Sequence, residues 1–319
     1  MALAVRFYDH HPEVASDSML DDVLHGFAAI PKAIPPKYFY DQRGSELFEA
    51  ITRTPEYYPT RTEERILAEA ASDVAAITGP GTTLVELGSG ASRKVRLLLE
   101  SLQPHSYLGI DISRDFLLAS THRLAADYPW LDVSALCTDF TQPMSVPETF
   151  KDKRVIAFFP GSSIGNFDPS DAQAFLHHLR DLLPAGSGLL IGVDLIKDKA
   201  RLEAAYNDAD GITAAFNLNL LERIRREIDT DLDPSRFSHY AFYNEQKSRI
   251  EMHLISRRAQ TVRIGQQRFM FKQGETLHTE NSYKYSLEGF RALSQGAGFS
   301  TVAVWTDPAA LFSVHYLER

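Results

Sequence analysis

Apolar residues recur at helical spacing near the start of the chain, where Leu20, Val23, Leu24, Phe27 and Ile30 predict an amphipathic helix over 17–30. The Pro-rich stretch Ile30-Pro31-Lys32-Ala33-Ile34-Pro35-Pro36 must then be extended. Leu47, Phe48 and Ile51 mark a second helix over about 43–53, and Pro55-Glu56-Tyr57-Tyr58-Pro59-Thr60 reads as an ordered loop carrying aromatics. From about residue 61 helix and strand alternate. Helices over 61–78, 92–102, 113–127 and 169–183 separate strands at Thr83–Leu87, Tyr107–Asp111, Val133–Cys137, Arg154–Phe159 and Gly188–Asp194. Short strands spaced by helices of this length imply a parallel sheet covered on both faces.

Beyond that the pattern changes. Residues 198–228 read as helical, ending in an Arg/Glu-rich run at 222–229 that suits a solvated helix face. Ile250, Met252 and Leu254, then Val262 and Ile264, then Phe269 and Phe271 alternate as short antiparallel strands do. The tail reads as a helix (Ser286–Gly296) and two strands (Ser300–Trp305, Leu311–Leu317) that can close the edge of the main sheet. The expected architecture is α/β, with one domain from 61–197 and 286–319. A second, discontinuous α+β domain is expected from 1–60 and 198–285.

Composition narrows the class. The 319 residues are 44% apolar and 24% charged, ordinary for a globular enzyme, and no apolar run approaches a membrane span. A net charge of −9 lowers the prospect of a nucleic-acid partner, which would want a basic face. The single cysteine, Cys137, excludes an intramolecular disulfide and sits in an apolar run as a buried small residue does. No secretory signal is evident, so a cytoplasmic location is expected, with no membrane partner. The adjacent pairs His10-His11 and His177-His178 lack the spacing that aims two imidazoles at one ion, and no metal is expected.

The strongest local signal is Leu84-Val85-Glu86-Leu87-Gly88-Ser89-Gly90, a strand ending in Gly-x-Gly, which lets backbone approach a ligand closely. Alone it is weak, because many α/β turns contain it and position 93 is Arg instead of the third Gly of a dinucleotide fingerprint. Asp111 closes the next strand, where a carboxylate can accept from both ribose hydroxyls, although a helix N-terminal acid would look the same. Asp139-Phe140 follow the third strand and can flank an adenine, although Phe140 also suits plain core. The joint strand-by-strand placement favours a nucleoside cofactor. Glu-x-Gly-x-Gly with these acids resembles the class I (Rossmann-like) methyltransferases, which implies S-adenosylmethionine as cofactor and S-adenosylhomocysteine as its product. Glu86, Gly88, Ser89, Gly90, Asp111, Asp139 and Phe140 are the candidate contacts. Lys94 is either a ligand for the methionyl carboxylate or a surface lysine.

Longer runs carry a more specific resemblance: Pro35-Pro36-Lys37-Tyr38-Phe39-Tyr40-Asp41, Thr54-Pro55-Glu56-Tyr57-Tyr58-Pro59-Thr60-Arg61-Thr62-Glu63, Gly161-Ser162-Ser163-Ile164-Gly165-Asn166, Asp194-Leu195-Ile196-Lys197-Asp198 and Thr213-Ala214-Ala215-Phe216-Asn217. The chain resembles, over nearly its whole length, the histidine Nα-methyltransferases of ergothioneine biosynthesis. The resemblance implies trimethylation of the α-amino group of L-histidine to the betaine hercynine, and a monomer is expected. Asn166 and Tyr206 would hold the α-amino and α-carboxylate groups, Tyr57, Glu280 and Ser282 the imidazole, and Tyr40, Phe48, Met252 and Gly161 would line the pocket. Tyr40, Asn166 and Tyr206 are the candidates nearest the chemistry. Without the resemblance Tyr206 and Met252 would be packing, Asn166 a turn residue, and Glu280 and Ser282 polar residues on one strand face. Relatives acting on tryptophan-like substrates would be expected to lack the Glu280 and Met252 combination. The rivals are the same chemistry on tryptophan, tyrosine or a derivative, a macromolecular methyltransferase, and a homologue that binds without reacting.

Overall fold

The computed structural model describes residues 5–9, 15–142 and 154–319. The chain divides into two compact units, one made of Met1–His10, Pro59–Ile196 and Tyr283–Arg319, the other of His11–Tyr58 and Lys197–Ser282.

The first unit is built on an eight-stranded sheet in the order β1 (Arg6–Asp9), β5 (Asp132–Cys137), β4 (Ser106–Asp111), β3 (Thr83–Leu87), β6 (Val155–Phe159), β7 (Gly188–Asp194), β14 (Phe312–Glu318), β13 (Ser300–Thr306). Pairing is parallel from β1 to β7, and β14 runs antiparallel to both its neighbours. Every residue of β3, β6 and β7 is buried, as strands covered on both faces require. Alternate side chains serve opposite faces. Val85, Leu87, Phe159 and Ile191 pack with Phe175 and Leu176 of helix α6 (Pro169–Leu182). Leu84, Phe158 and Leu190 pack with Ile66, Leu67 and Val74 of α3 (Tyr58–Thr78). From β3 the chain steps outward to β4 and β5, then crosses back to β6. Strand order therefore reverses between β3 and β6, the point at which open α/β sheets take ligands. The edge strand β1 is not legible in the apolar pattern; its parallel pairing with β5 puts it in this unit, whereas the pattern groups all of 1–60 elsewhere.

The chain leaves and re-enters this unit along one seam. The Tyr285 N–H donates to the Asp194 carbonyl at 3.1 Å and the Ile196 N–H to the Tyr285 carbonyl at 3.0 Å. Lys284 and Asp194 form an ion pair at 2.8 Å with both side chains 1% exposed.

On β14 the buried ring of His315 packs 4.7 Å from Phe290. Its Nε2 lies 2.8 Å from Ser313 Oγ, while its Nδ1 is buried without a partner. Burial pushes its pKa from the ordinary 6.5 down to about 4. The folded protein therefore binds fewer protons in acid than the unfolded chain does. Stability is lost as pH falls from 6.5 toward 4, by about 3 kcal/mol from this group. Denaturant titrations across that window should show the slope in the natural protein and a flatter one in His315→Gln.

The second unit holds a four-stranded sheet in the order β2 (Lys32–Ala33), β12 (Thr276–Tyr283), β9 (Arg249–Ser256), β8 (Phe237–Asn244), and a hairpin of β10 (Gln260–Ile264) and β11 (Gln267–Phe271). Its helices are α1 (Ala15–Ala28), α2 (Gln42–Ile51), α7 (Lys199–Ala205) and α8 (Ile212–Glu227). The helical stretch expected over 198–228 is broken because Asn207-Asp208-Ala209-Asp210-Gly211 is a turn signal. Gly211 sits at φ 70°, and the Asp208 carboxylate caps α8 by accepting from the N–H groups of Ile212 (2.7 Å) and Thr213 (2.8 Å). Asp41 caps α2 through the Gly44 N–H at 2.6 Å. The same carboxylate accepts from Asn219 at 2.9 Å and Arg226 at 2.6 Å, tying α2 to α8. Part of the Arg/Glu run is thus committed to internal bonds, not only to solvent. Among the described residues no helix is long and apolar enough to cross a membrane.

Candidate active site

In the first unit the cofactor candidates converge at the carboxyl ends of β3, β4 and β5. Gly88 and Gly90 take φ values of 68° and 48°, which the turn after β3 needs and L side chains rarely adopt. The N–H groups of Gly88 and Ser89 both donate to the Ile110 carbonyl, at 2.8 and 3.0 Å. The Asp111 carboxylate accepts from the Gly90 N–H and from the Ser113 N–H, each at 2.9 Å, so one acid ties the glycine turn to the end of β4. Burial pushes its pKa up against the pull of these N–H donors. A Cβ at Gly88 would stand 3.5 Å from the Phe140 ring, so the bare glycine keeps an aromatic edge beside the turn. Phe140 also meets Phe159 edge-on, centroids 5.6 Å apart, so its core and ligand readings are compatible. Asp139 is half-buried and accepts from the Thr141 N–H at 2.9 Å. This bare, acid-tied turn with an aromatic edge fits an adenosine-bearing ligand.

Glu86 is buried on β3 and accepts from the Tyr107 hydroxyl at 2.6 Å. Burial pushes its carboxyl up to about 8, with the Tyr107 bond and Lys94 pulling the other way. Because this lies above the ordinary 4.5, its contribution to stability is present below 4.5 and lost as pH rises toward 8. Glu86→Gln should therefore keep S-adenosylmethionine affinity within about threefold at pH 7 and flatten that decline. Denaturant titrations from about pH 4.5 to 8.5 with a binding isotherm check both.

Lys94 is neither free nor on the surface. Its Nζ pairs at 2.5 Å with Glu63, whose side chain is fully buried. Both oxygens of Glu63 also accept from the Gly161 N–H, at 3.0 and 2.9 Å. Gly161 follows β6 at φ 82° and opens the 3-10 turn Ser163–Asn166, which carries Asn166. Glu63 ends the family run Thr54–Glu63, and its partners lie 31 and 98 positions away, where no local pattern points to them.

In the second unit most of the substrate candidates lie together. Tyr40 meets Phe48 with centroids 6.0 Å apart, Phe48 meets Tyr57 at 6.3 Å, and Tyr57 meets Tyr206 at 6.3 Å. Tyr206 is the C-cap of α7, and its hydroxyl donates to Ser282 Oγ on β12 at 2.8 Å. Phe216 of α8 joins the row, 5.9 Å from Tyr40 and 6.1 Å from Phe48. Phe216 stands in the family run Thr213–Asn217 but has the helical spacing of a core aromatic, so the sequence does not single it out. Met252 is buried on β9. Along β12 the alternation of burial breaks at Glu280 and Asn281, both half-buried, and His278 Nε2 lies 2.9 Å from Asn281 Oδ1. Two residues three apart do not meet on a regular strand. Glu280 is half-buried and Ser282 buried, so the two do not form an exposed polar face of the strand. Asn166 and Gly161 belong to the first unit.

His10-His11 lie outside the described residues. His177 pairs at 3.5 Å with Asp181, one turn away. Among the described residues Glu251, His253 and His278 bring ligand-type atoms within 4.8 Å of one another, a strand i, i+2 pair plus a neighbour from β12. Glu251 Oε1, however, already accepts from Arg249 at 2.7 Å and Asn244 at 2.9 Å, and a fixed guanidinium opposes a second cation there.

The sheet, its switch point and the glycine turn define an α/β S-adenosylmethionine-dependent methyltransferase fold. Such an enzyme of solved structure from Clostridium acetobutylicum superposes with a TM-score of 0.50 at 10% identity, covering 85% of this chain and 97% of that one. The model of the family described as histidine-specific, SAM-dependent methyltransferases matches residues 19–319, and the chain belongs to that family. It is 41% identical over 312 residues to histidine N-alpha-methyltransferase of Mycolicibacterium smegmatis, covering 96% of each. It is 34% identical over 287 residues to ergothioneine biosynthesis protein 1 of Neurospora crassa, covering 86% of this chain and 32% of that longer one.

Proposed function

We propose that this enzyme methylates the α-amino nitrogen of L-histidine three times to give hercynine, an early step of ergothioneine biosynthesis. The observation that carries the reading is the row Tyr40, Phe48, Tyr57 and Tyr206 ending on Ser282. It sits in a chain 41% identical to a histidine N-alpha-methyltransferase. S-adenosylmethionine supplies an electrophilic methyl on sulfur when bound, and Glu86, Gly88, Ser89, Gly90, Lys94, Asp111, Asp139 and Phe140 are assigned to hold it. Asn166 and Tyr206 are assigned to the α-amino and α-carboxylate groups, an amide being able to donate to one and accept from the other. Tyr57, Glu280 and Ser282 are assigned to the imidazole, where a carboxylate accepts from a ring N–H. Met252 and Gly161 are assigned to the pocket lining.

The amine must present a free lone pair. Before each of the three transfers the ammonium loses one proton to water, with Tyr40 or Tyr206 as relay, and the freed lone pair would take the methyl group with S-adenosylhomocysteine as the leaving product. Alignment of the amine is the main lever and can lower a barrier by roughly 7–11 kcal/mol in favourable cases. The growing cation is accommodated by the faces of Tyr40, Phe48 and Tyr57. A cytoplasmic monomer belongs to the same proposal. With excess S-adenosylmethionine, histidine should yield a product carrying three methyl groups on Nα, read by tandem mass spectrometry. Arrest at monomethylhistidine would overturn the trimethylation.

A further inference from the structure

The run Thr213-Ala214-Ala215-Phe216-Asn217 contains a polar residue without an assigned task. Asn217, on α8, is fully buried, and every hydrogen-bonding group of its amide is engaged. Its Nδ2 donates to the His253 carbonyl of β9 at 3.1 Å and lies 2.9 Å from His239 Nδ1 on β8. Its Oδ1 accepts from the Thr279 hydroxyl of β12 at 2.8 Å. The carbonyl of His253 can only accept, so the amide cannot be flipped, and Nδ2 must face it. His239 Nδ1 must then be the acceptor of the remaining amide hydrogen. The ring proton of His239 is consequently on Nε2, which donates to the Tyr206 carbonyl at 2.8 Å.

We infer that Asn217 and His239 are positioning residues for the amino-acid pocket. The amide fixes the His239 tautomer, and that ring holds the backbone of Tyr206. Through Thr279 the same amide holds β12 one residue before Glu280 and three before Ser282. A single buried amide thus sets both sides of the Tyr206–Ser282 contact. Neither residue touches substrate, and the inference rests on Tyr206, Glu280 and Ser282 forming the histidine site.

The test combines a spectroscopic readout with kinetics. In protein labelled with 15N-histidine, long-range 1H–15N correlation at neutral pH should show His239 as the neutral Nε2–H tautomer, and a neutral Nδ1–H form would overturn the inference. Asn217→Asp replaces the donor by an acceptor and should move a proton onto Nδ1; an unchanged tautomer there also overturns it. His239→Gln, which can still donate to the Tyr206 carbonyl, should retain most activity. His239→Leu should raise the KM for histidine about tenfold, the worth of one lost hydrogen bond, with S-adenosylmethionine affinity within twofold. Equal KM values in the two His239 variants, or equal losses in cofactor and histidine binding, contradict a positioning role. If the natural enzyme leaves histidine unmethylated, the proposed function fails, whereas the tautomer measurements still decide the network.

Discussion

Asp111→Ala is expected to weaken S-adenosylmethionine binding about 100-fold and to leave the fold intact. The carboxylate has two tasks. It holds the glycine turn by accepting from the N–H groups of Gly90 and Ser113, each at 2.9 Å. It is also the acid assigned to the ribose hydroxyls. Hydrogen bonds to an ionised group contribute roughly 1.5–3 kcal/mol each, so losing one to the ligand and loosening the turn amounts to about two orders of magnitude. Asp111→Asn keeps one acceptor oxygen and should fall between. Calorimetric titration measures both. An affinity within threefold of the natural enzyme would mean that the cofactor does not lie against this turn.

Glu280→Ala is expected to raise the KM for histidine by about 10- to 100-fold while leaving S-adenosylmethionine affinity unchanged, from the same worth of a charge-assisted bond and the imidazole N–H left unpaired. The split matters more than the size. Loss in both ligands would indicate that Glu280 supports structure at the irregular point of β12. A change in neither would remove it from the site and open the pocket to tryptophan-like substrates.

Sequence patterning rendered the main sheet well because its strands are short, wholly buried runs such as Val155–Phe159, separated by helices with clear apolar stripes. Local turn chemistry located the glycine turn and the acids after β4 and β5. The strand Arg6–Asp9 is invisible in the pattern because two of its four residues are exposed and two only half-buried, and its partner β5 lies over a hundred residues away. β8 was missed for a related reason: it alternates His239, Tyr240 and Phe242 among half-buried and exposed positions. Glu63 and Asn217 were legible as members of quoted runs, but their partners were not. Glu63 meets Gly161 and Lys94 across 98 and 31 positions, and Asn217 meets Thr279 across 62. Such pairings are set by the sheet's topology and leave no local periodicity. Phe216 illustrates the converse, since a buried aromatic on a helix looks like core until its neighbours are known to be Tyr40 and Phe48.

The most direct measurement is incubation of the purified protein with S-adenosylmethionine and each of the twenty amino acids, with products read by mass spectrometry. Three added methyl groups on histidine, and no product from the others, is the predicted result. Methylation of tryptophan or tyrosine with histidine untouched would keep the fold and cofactor but contradict the assigned roles of Glu280 and Met252, and silence across all twenty would contradict free histidine as the substrate.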